Sequence, residues 1–114
     1  MKFYCDLYLT EEYQVKKGKI IRNLNKKRIG LEQYLIVLAN NTNNHLELFH
    51  GIHLKQDIFM KEDLLIVGVA KGRNEAFQLV QFITQDIYDK TNTTNIRNYI
   101  INRQKEYEEG TKKV

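Results

Sequence analysis

The chain contains no serine, no proline and no tryptophan, and it has a single cysteine, Cys5. Without serine, the hydroxyl nucleophile of a Ser-His-Asp triad is missing, and that large class of hydrolases is excluded. One cysteine can neither close an internal disulfide nor supply paired zinc ligands, so a reducing compartment is expected. No apolar run approaches the roughly 20 residues of a membrane-spanning helix. Lys2 and Asp6 interrupt the stretch where a signal peptide would begin, and the cytoplasm is the expected location. The Asn-x-Thr sequons at Asn40 and Asn92 are then expected to carry no glycan.

What is present is the composition of an ordinary globular protein, 42% hydrophobic and 28% charged over 114 residues. That length supports one modest core. The expectation is a single α+β domain over 1–110, with 111–114 as a frayed tail.

Asp63 to Thr91 organises the rest. Leu64 to Ala70 has no polar residue, the pattern of a strand covered on both faces or central in its sheet. After Gly72, Ala76, Leu79, Val80, Ile83 and Ile87 recur at helical spacing, while Gln78, Gln81, Gln85 and Asp89 face away. Earlier, Phe3, Cys5, Leu7 and Leu9 alternate with Tyr4, Asp6 and Tyr8, the period of a half-buried strand. Thr10 is placed as an N-cap before Glu11 and Glu12. One helical face then gathers Tyr13, Ile20, Ile21 and Leu24, Gly18 weakening it and Gly30 stopping it. Gln33 to Ala39 reads as a strand, Asn40 to Asn44 as a loop, and His45 to His50 as a returning hairpin partner. Residues 51–62 fit a short helix or a continued strand. Beyond the polar break at 91–95, Ile96, Tyr99, Ile100 and Tyr107 mark a last helix ending near Gly110. The order β-α-β-β-(short α)-β-α-α implies a roughly four-stranded sheet with helices packed on one face, in a split βαβ, ferredoxin-like arrangement.

The stretches Ile66 to Gly72, Glu75 to Val80 and Asn95 to Ile100 resemble a group of small bacterial proteins with no assigned activity. The resemblance covers most of the chain and implies no catalytic residue.

Four features are candidate sites. The first is the turn carrying Gly68, Lys71, Gly72 and Arg73. A helix N-terminus exposes unpaired N–H groups, and beside two cations it suits the phosphate of a small ligand. The spacing is neither a Walker motif nor a dinucleotide GxGxxG, and close packing by Gly68 with a positive φ at Gly72 is the structural alternative. The second is the basic segment with Lys16, Lys17, Lys19, Arg22, Lys26, Lys27 and Arg28, net +5 over 11–30 against +4 for the whole chain. It suits nucleic-acid phosphates, an acidic protein, an anionic membrane surface, or simply a solvated helix face. The third comprises His45, His50 and His53, whose spacing matches no metal motif, so no metal is assigned. The fourth is Cys5 on the first strand, with the tyrosines: Tyr4 and Tyr8 on one face of that strand and Tyr34, Tyr88, Tyr99 and Tyr107 elsewhere suit a stacking or protein-binding surface. A buried apolar thiol and amphipathic core edges are the ordinary uses of these residues.

No acid, base and nucleophile converge in the pattern, and no cofactor is implied. The expected function is binding, most simply of another protein chain, a second copy included. Two apolar-faced C-terminal helices, more than a small sheet covers, motivate this reading. Nucleic-acid binding by 16–28 and phosphate binding at 68–73 are the alternatives.

Overall fold

The computed structural model describes residues 2–39, 46–52 and 64–112. The elements are β1 (Lys2–Leu9), α1 (Glu11–Gln14), α2 (Lys17–Asn25), β2 (Gln33–Ala39), β3 (Glu47–His50), β4 (Leu64–Lys71), α3 (Arg73–Thr91) and α4 (Ile96–Lys112). The protein is α+β, and its one four-stranded sheet has the order β1-β4-β2-β3. β4 is central, as its unbroken apolar run requires, parallel to β1 and antiparallel to β2. β2 and β3 form the expected antiparallel pair. Of the ambiguous segment 51–62, Gly51 and Ile52 form a 3₁₀ turn and 53–62 lie outside the described residues.

Two clusters build the core, one on each side of the sheet. Alternation along β2 sends Leu35 and Val37 to one side, where they meet Leu9, Tyr13, Ile20, Leu24 and Ile66. Ile36 and Leu38 go to the other, with Tyr4, Val67, Ala76, Leu79, Ile83, Ile87, Ile96 and Ile100. The C-terminal helices therefore share one face, but α1 and α2 cover the opposite one. The sheet is sandwiched, and the expectation of helices on a single face does not hold for the N-terminal pair. The split βαβ, ferredoxin-like arrangement is not formed either: β4 lies between β1 and β2, but those two strands, joined through α1 and α2, run antiparallel, where a split βαβ unit needs them parallel.

A bulge sits in β4. Ile36 pairs with Gly68 and Val37 with Ile66, so Val67 is an extra residue on the β4 side. Consecutive residues Val67 and Gly68 both turn towards α3, and only one of them can carry a side chain there. A Cβ on Gly68 would lie 3.2 Å from the Tyr8 carbonyl and 3.3 Å from both Ile36 Cδ1 and Leu79 Cδ2. Gly72 occupies the N-cap of α3 at φ 83, a conformation that favours glycine.

The single helix expected from Thr10 to Gly30 is two, broken at Val15 and Lys16. β-branched Val15 and Gly18 leave a weak centre between crowded lysines. Thr10 stands at the N-cap of α1, but its side chain makes no capping bond. α2 stops before Gly30 in a Schellman turn, with Lys27 N–H donating to the Leu24 carbonyl and Arg28 N–H to that of Asn23. Lys27 takes the left-handed position, φ 60, where glycine is normally preferred. Lys27→Gly is accordingly expected to raise the unfolding free energy by about 0.5–1 kcal/mol, read by urea denaturation. At the C-terminal end, the Asn95 carboxamide accepts from Asn98 N–H at 3.1 Å and caps α4. α4 passes through Gly110 to Lys112, since one glycine weakens a helix without ending it. Tyr107, expected inside, is 51% exposed because α4 extends past the sheet's cover.

Candidate interaction surfaces

The residues of the proposed anion turn are not brought together. Gly68 lies inside β4, buried against α3, four residues before the helix begins. Lys71 Nζ donates to both carboxylate oxygens of Glu12 at 3.2 Å. That hydrogen bond, with the charge of Glu12 and more distant Glu32, raises the lysine's pKa. Gly72 N–H donates to the Glu32 carbonyl at 2.7 Å. Arg73 sits over the Phe77 ring, its guanidinium carbon 5.5 Å from the centroid. Lys71 is thus matched to a carboxylate, and a second carboxylate stands nearby, which makes a poor environment for phosphate.

The edge strand β1 is closed by side chains. The pairing of β1 with β4 slips between Phe3 and Tyr8, and side chains take up backbone groups along the strand. The Gln104 carboxamide behaves as a strand partner, accepting from Cys5 N–H at 2.7 Å and donating to the Phe3 carbonyl at 3.4 Å. Gln14 donates to the Leu9 carbonyl at 3.1 Å. Ion pairs from Arg103 to Asp6, 3.0 Å, and from Glu108 to Lys2, 3.4 Å, hold α4 along the same edge. The other edge, β3, is only four residues long. Short strands and covered edges resist pairing with another chain.

Beside β1, an open groove of about 740 Å³ runs between α1 and α3, lined among others by Leu7, Leu9, Leu79 and Phe82 with Glu11 and Glu75. At its wall Tyr8 donates to Asp86 Oδ2 at 2.7 Å, and Lys90 donates to the same oxygen at 3.0 Å. Hydrogen bonding from Tyr8 is the main reason the Asp86 pKa is lowered, while burial and Asp86 raise that of Tyr8. Lys90 is already bound and Asp86 is held ionised, so the trio ties β1 to α3 and offers no poised proton donor at neutral pH.

Cys5 is half-buried, and burial is the first cause of its raised thiol pKa. A thiol pushed in that direction is a poor nucleophile. His45 and His53 lie outside the described residues; among those described, no three His, Cys, Asp or Glu side chains gather into a metal-binding group. Among the described residues no helix is long and apolar enough to cross a membrane.

The sheet does cover the apolar stripes of the C-terminal helices. Ala76, Ile83 and Ile87 are fully buried and Leu79 nearly so. Val15, Leu31, Ile52, Ile101 and Tyr107 are exposed singly elsewhere, and large apolar side chains are exposed on the other side of α3, where Phe77 is 48%, Phe82 58% and Tyr88 44% exposed. Gln78, Gln81, Thr84 and Gln85 stand between them, also exposed. From Phe77 to Gln85 the exposed positions carry no charge; Arg73 and Glu75 precede them, and the partly exposed Asp86, then Asp89 and Lys90, follow. Sequence reasoning noted the glutamines and passed over Phe77 and Phe82. The signal was available, because both fall off the inward stripe where a charged residue is usual.

All seven cations of the basic segment are exposed, on the layer formed by α1, α2 and the turn after them. No protein-family model, no curated protein and no solved structure matches the chain.

Proposed function

We propose that the protein is a cytoplasmic interaction module that works by binding rather than catalysis, and that the outward face of α3 pairs with the same face of a second copy. The observation that carries this is the exposed stretch of Phe77, Gln78, Gln81, Phe82, Thr84 and Gln85, uncharged on a chain that is 28% charged, with Tyr88 exposed one turn beyond. Depletion of charge with enrichment of aromatics is the composition of an interface centre. The blunted edges of β1 and β3 favour a helix face over strand addition.

The ends of the helix favour self-pairing. In a two-fold contact each residue of one copy meets its counterpart's partner reciprocally, so antiparallel helices bring the N-terminal end of one to the C-terminal end of the other. Arg73 of each copy then faces Asp89 of the other, while Phe77 approaches Tyr88 and the two Phe82 rings meet near the axis. Nineteen residues give a helix about 28 Å long. An interface of that reach belongs at the low end of the size range, with a dissociation constant on the order of 10 μM.

Sedimentation equilibrium over about 1–500 μM should show a monomer–dimer equilibrium. The double variant Phe77→Glu, Phe82→Glu should be monomeric throughout with a melting temperature close to the parent's. A parent that stays monomeric at the top of that range removes the self-pairing.

A further inference from the structure

A second surface lies on the opposite side of the sheet. We infer that the α1–α2 layer docks on the phosphate backbone of duplex nucleic acid, without reading its sequence.

Neutralisation is the first argument. Lys2, Lys71, Lys90 and Arg103 each hold a carboxylate. None of Lys16, Lys17, Lys19, Arg22, Lys26, Lys27 and Arg28 makes an ion pair among the described residues. Of the two acids in the same segment, Glu12 is taken by Lys71, and Glu11 lines the groove beside β1 together with Lys17 but makes no ion pair with it among the described residues. Among the described residues the positive charge is uncompensated where it stands.

Placement is the second argument. Cations near a helix C-terminus are favoured by the backbone dipole, which accounts for Lys26, Lys27 and Arg28 as ordinary stabilising choices. The other end of α2 runs against that rule. Lys16 is its N-cap, Lys17 and Lys19 follow in the first turn, and that turn has no acidic residue. These lysines add to the partial positive charge of the helix N-terminus and cost stability there. A positively charged surface maintained against the local preference is one that meets an external polyanion.

The geometry indicates which polyanion. Ile20 and Leu24 face the sheet. Lys19, Arg22 and Lys26, at i, i+3 and i+7, line the opposite side as a ridge about 10 Å long. The segment's tyrosine, Tyr13, is buried. The cationic surface therefore offers no aromatic platform on which unpaired bases would stack, and a backbone-tracking mode on a duplex is the one it fits.

Fluorescence anisotropy with labelled duplexes of about 20 base pairs, at salt between about 50 and 200 mM, tests this. If four or five phosphates are neutralised, log K should fall against log salt with a slope of about −4, alike for unrelated sequences. Lys19→Gln, Arg22→Gln, Lys26→Gln should reduce that slope by about 3. Lys19→Glu, Arg22→Glu, Lys26→Glu should abolish binding, with circular dichroism unchanged because all three side chains are in water. Phe77→Glu, Phe82→Glu should leave the slope of each protomer intact, which separates this inference from self-pairing. Three results would overturn it: no binding at the lowest salt, a slope unmoved by the glutamine variant, or equally tight binding to polyglutamate or to phosphatidylserine vesicles.

Discussion

Gly68→Val is expected to destabilise the protein by about 3 kcal/mol, lowering the melting temperature by about 10 °C or more. The cause is the bulge in β4. Val67 already fills the space towards α3, and a second side chain from the next residue meets the Tyr8 carbonyl at 3.2 Å, Ile36 at 3.3 Å and Leu79 at 3.3 Å. Ile36 and Leu79 can yield by small rotations, but the carbonyl belongs to the neighbouring strand and moves only with β1. Gly68→Ala should cost less, about 1 kcal/mol, because only the Cβ must be accommodated. Gly72 provides the contrast. A Cβ there has open space around it, so its substitution by alanine incurs only the strain of φ 83 with ψ 155, a region nearly reserved for glycine, at about 1–3 kcal/mol. The graded series is read by thermal and urea denaturation. Equal, small effects of Gly68→Val and Gly72→Ala would mean that the bulge does not hold α3 close to the sheet.

That pair of glycines shows what the sequence made legible and what it did not. The run from Leu64 to Ala70 and the helical period after Gly72 are local patterns, and the strand, the turn and the helix follow them closely. Close packing at Gly68 and a positive φ at Gly72 were both readable as the structural alternative to an anion site. The bulge was not readable, because it depends on how β4 registers against β2. The same limit applies to β1. Its tyrosines looked like an outward face, but Tyr4 is 2% exposed beneath the C-terminal helices, where the apolar body of a tyrosine is at home. A period of two reports that a strand has two faces; it does not report that both are covered. The adjacency of β1 and β4 and the Gln104 cap joining residues about a hundred positions apart are long-range facts with no local signature.

The surfaces divide in the same way. The basic segment was visible as composition, because clustered charge needs no fold to be counted. The arrangement of α1 and α2 on the face opposite α3 gives it meaning, since one layer then carries cations unpaired among the described residues and the other the exposed aromatic side of α3. A dimer through α3 would leave both basic layers outward, so each duplex contact would be duplicated within one assembly.

Ile83→Ala and Phe82→Ala, neighbours in sequence, are expected to have opposite consequences. Ile83 is fully buried in the cluster beneath α3 and α4. Truncating it removes three carbons from a close-packed site and leaves a cavity, at a cost of about 3–4 kcal/mol. For a chain of this size the melting temperature should fall by about 12–18 °C, while any dimer still formed by the folded fraction keeps its affinity. Phe82 is 58% exposed and meets Tyr8 edge-on at 6.2 Å. Its loss should cost stability no more than about 1 kcal/mol, the worth of one partly solvated aromatic pair. Its effect falls on association, where removal of the ring nearest the proposed two-fold axis should weaken pairing by at least about 10-fold, as expected for an anchor at an interface centre. Denaturation and sedimentation equilibrium on the two variants separate the inward and outward faces of α3. If Phe82→Ala unfolds the protein as readily as Ile83→Ala, the aromatic side of the helix is core, and the surface on which self-pairing depends does not exist.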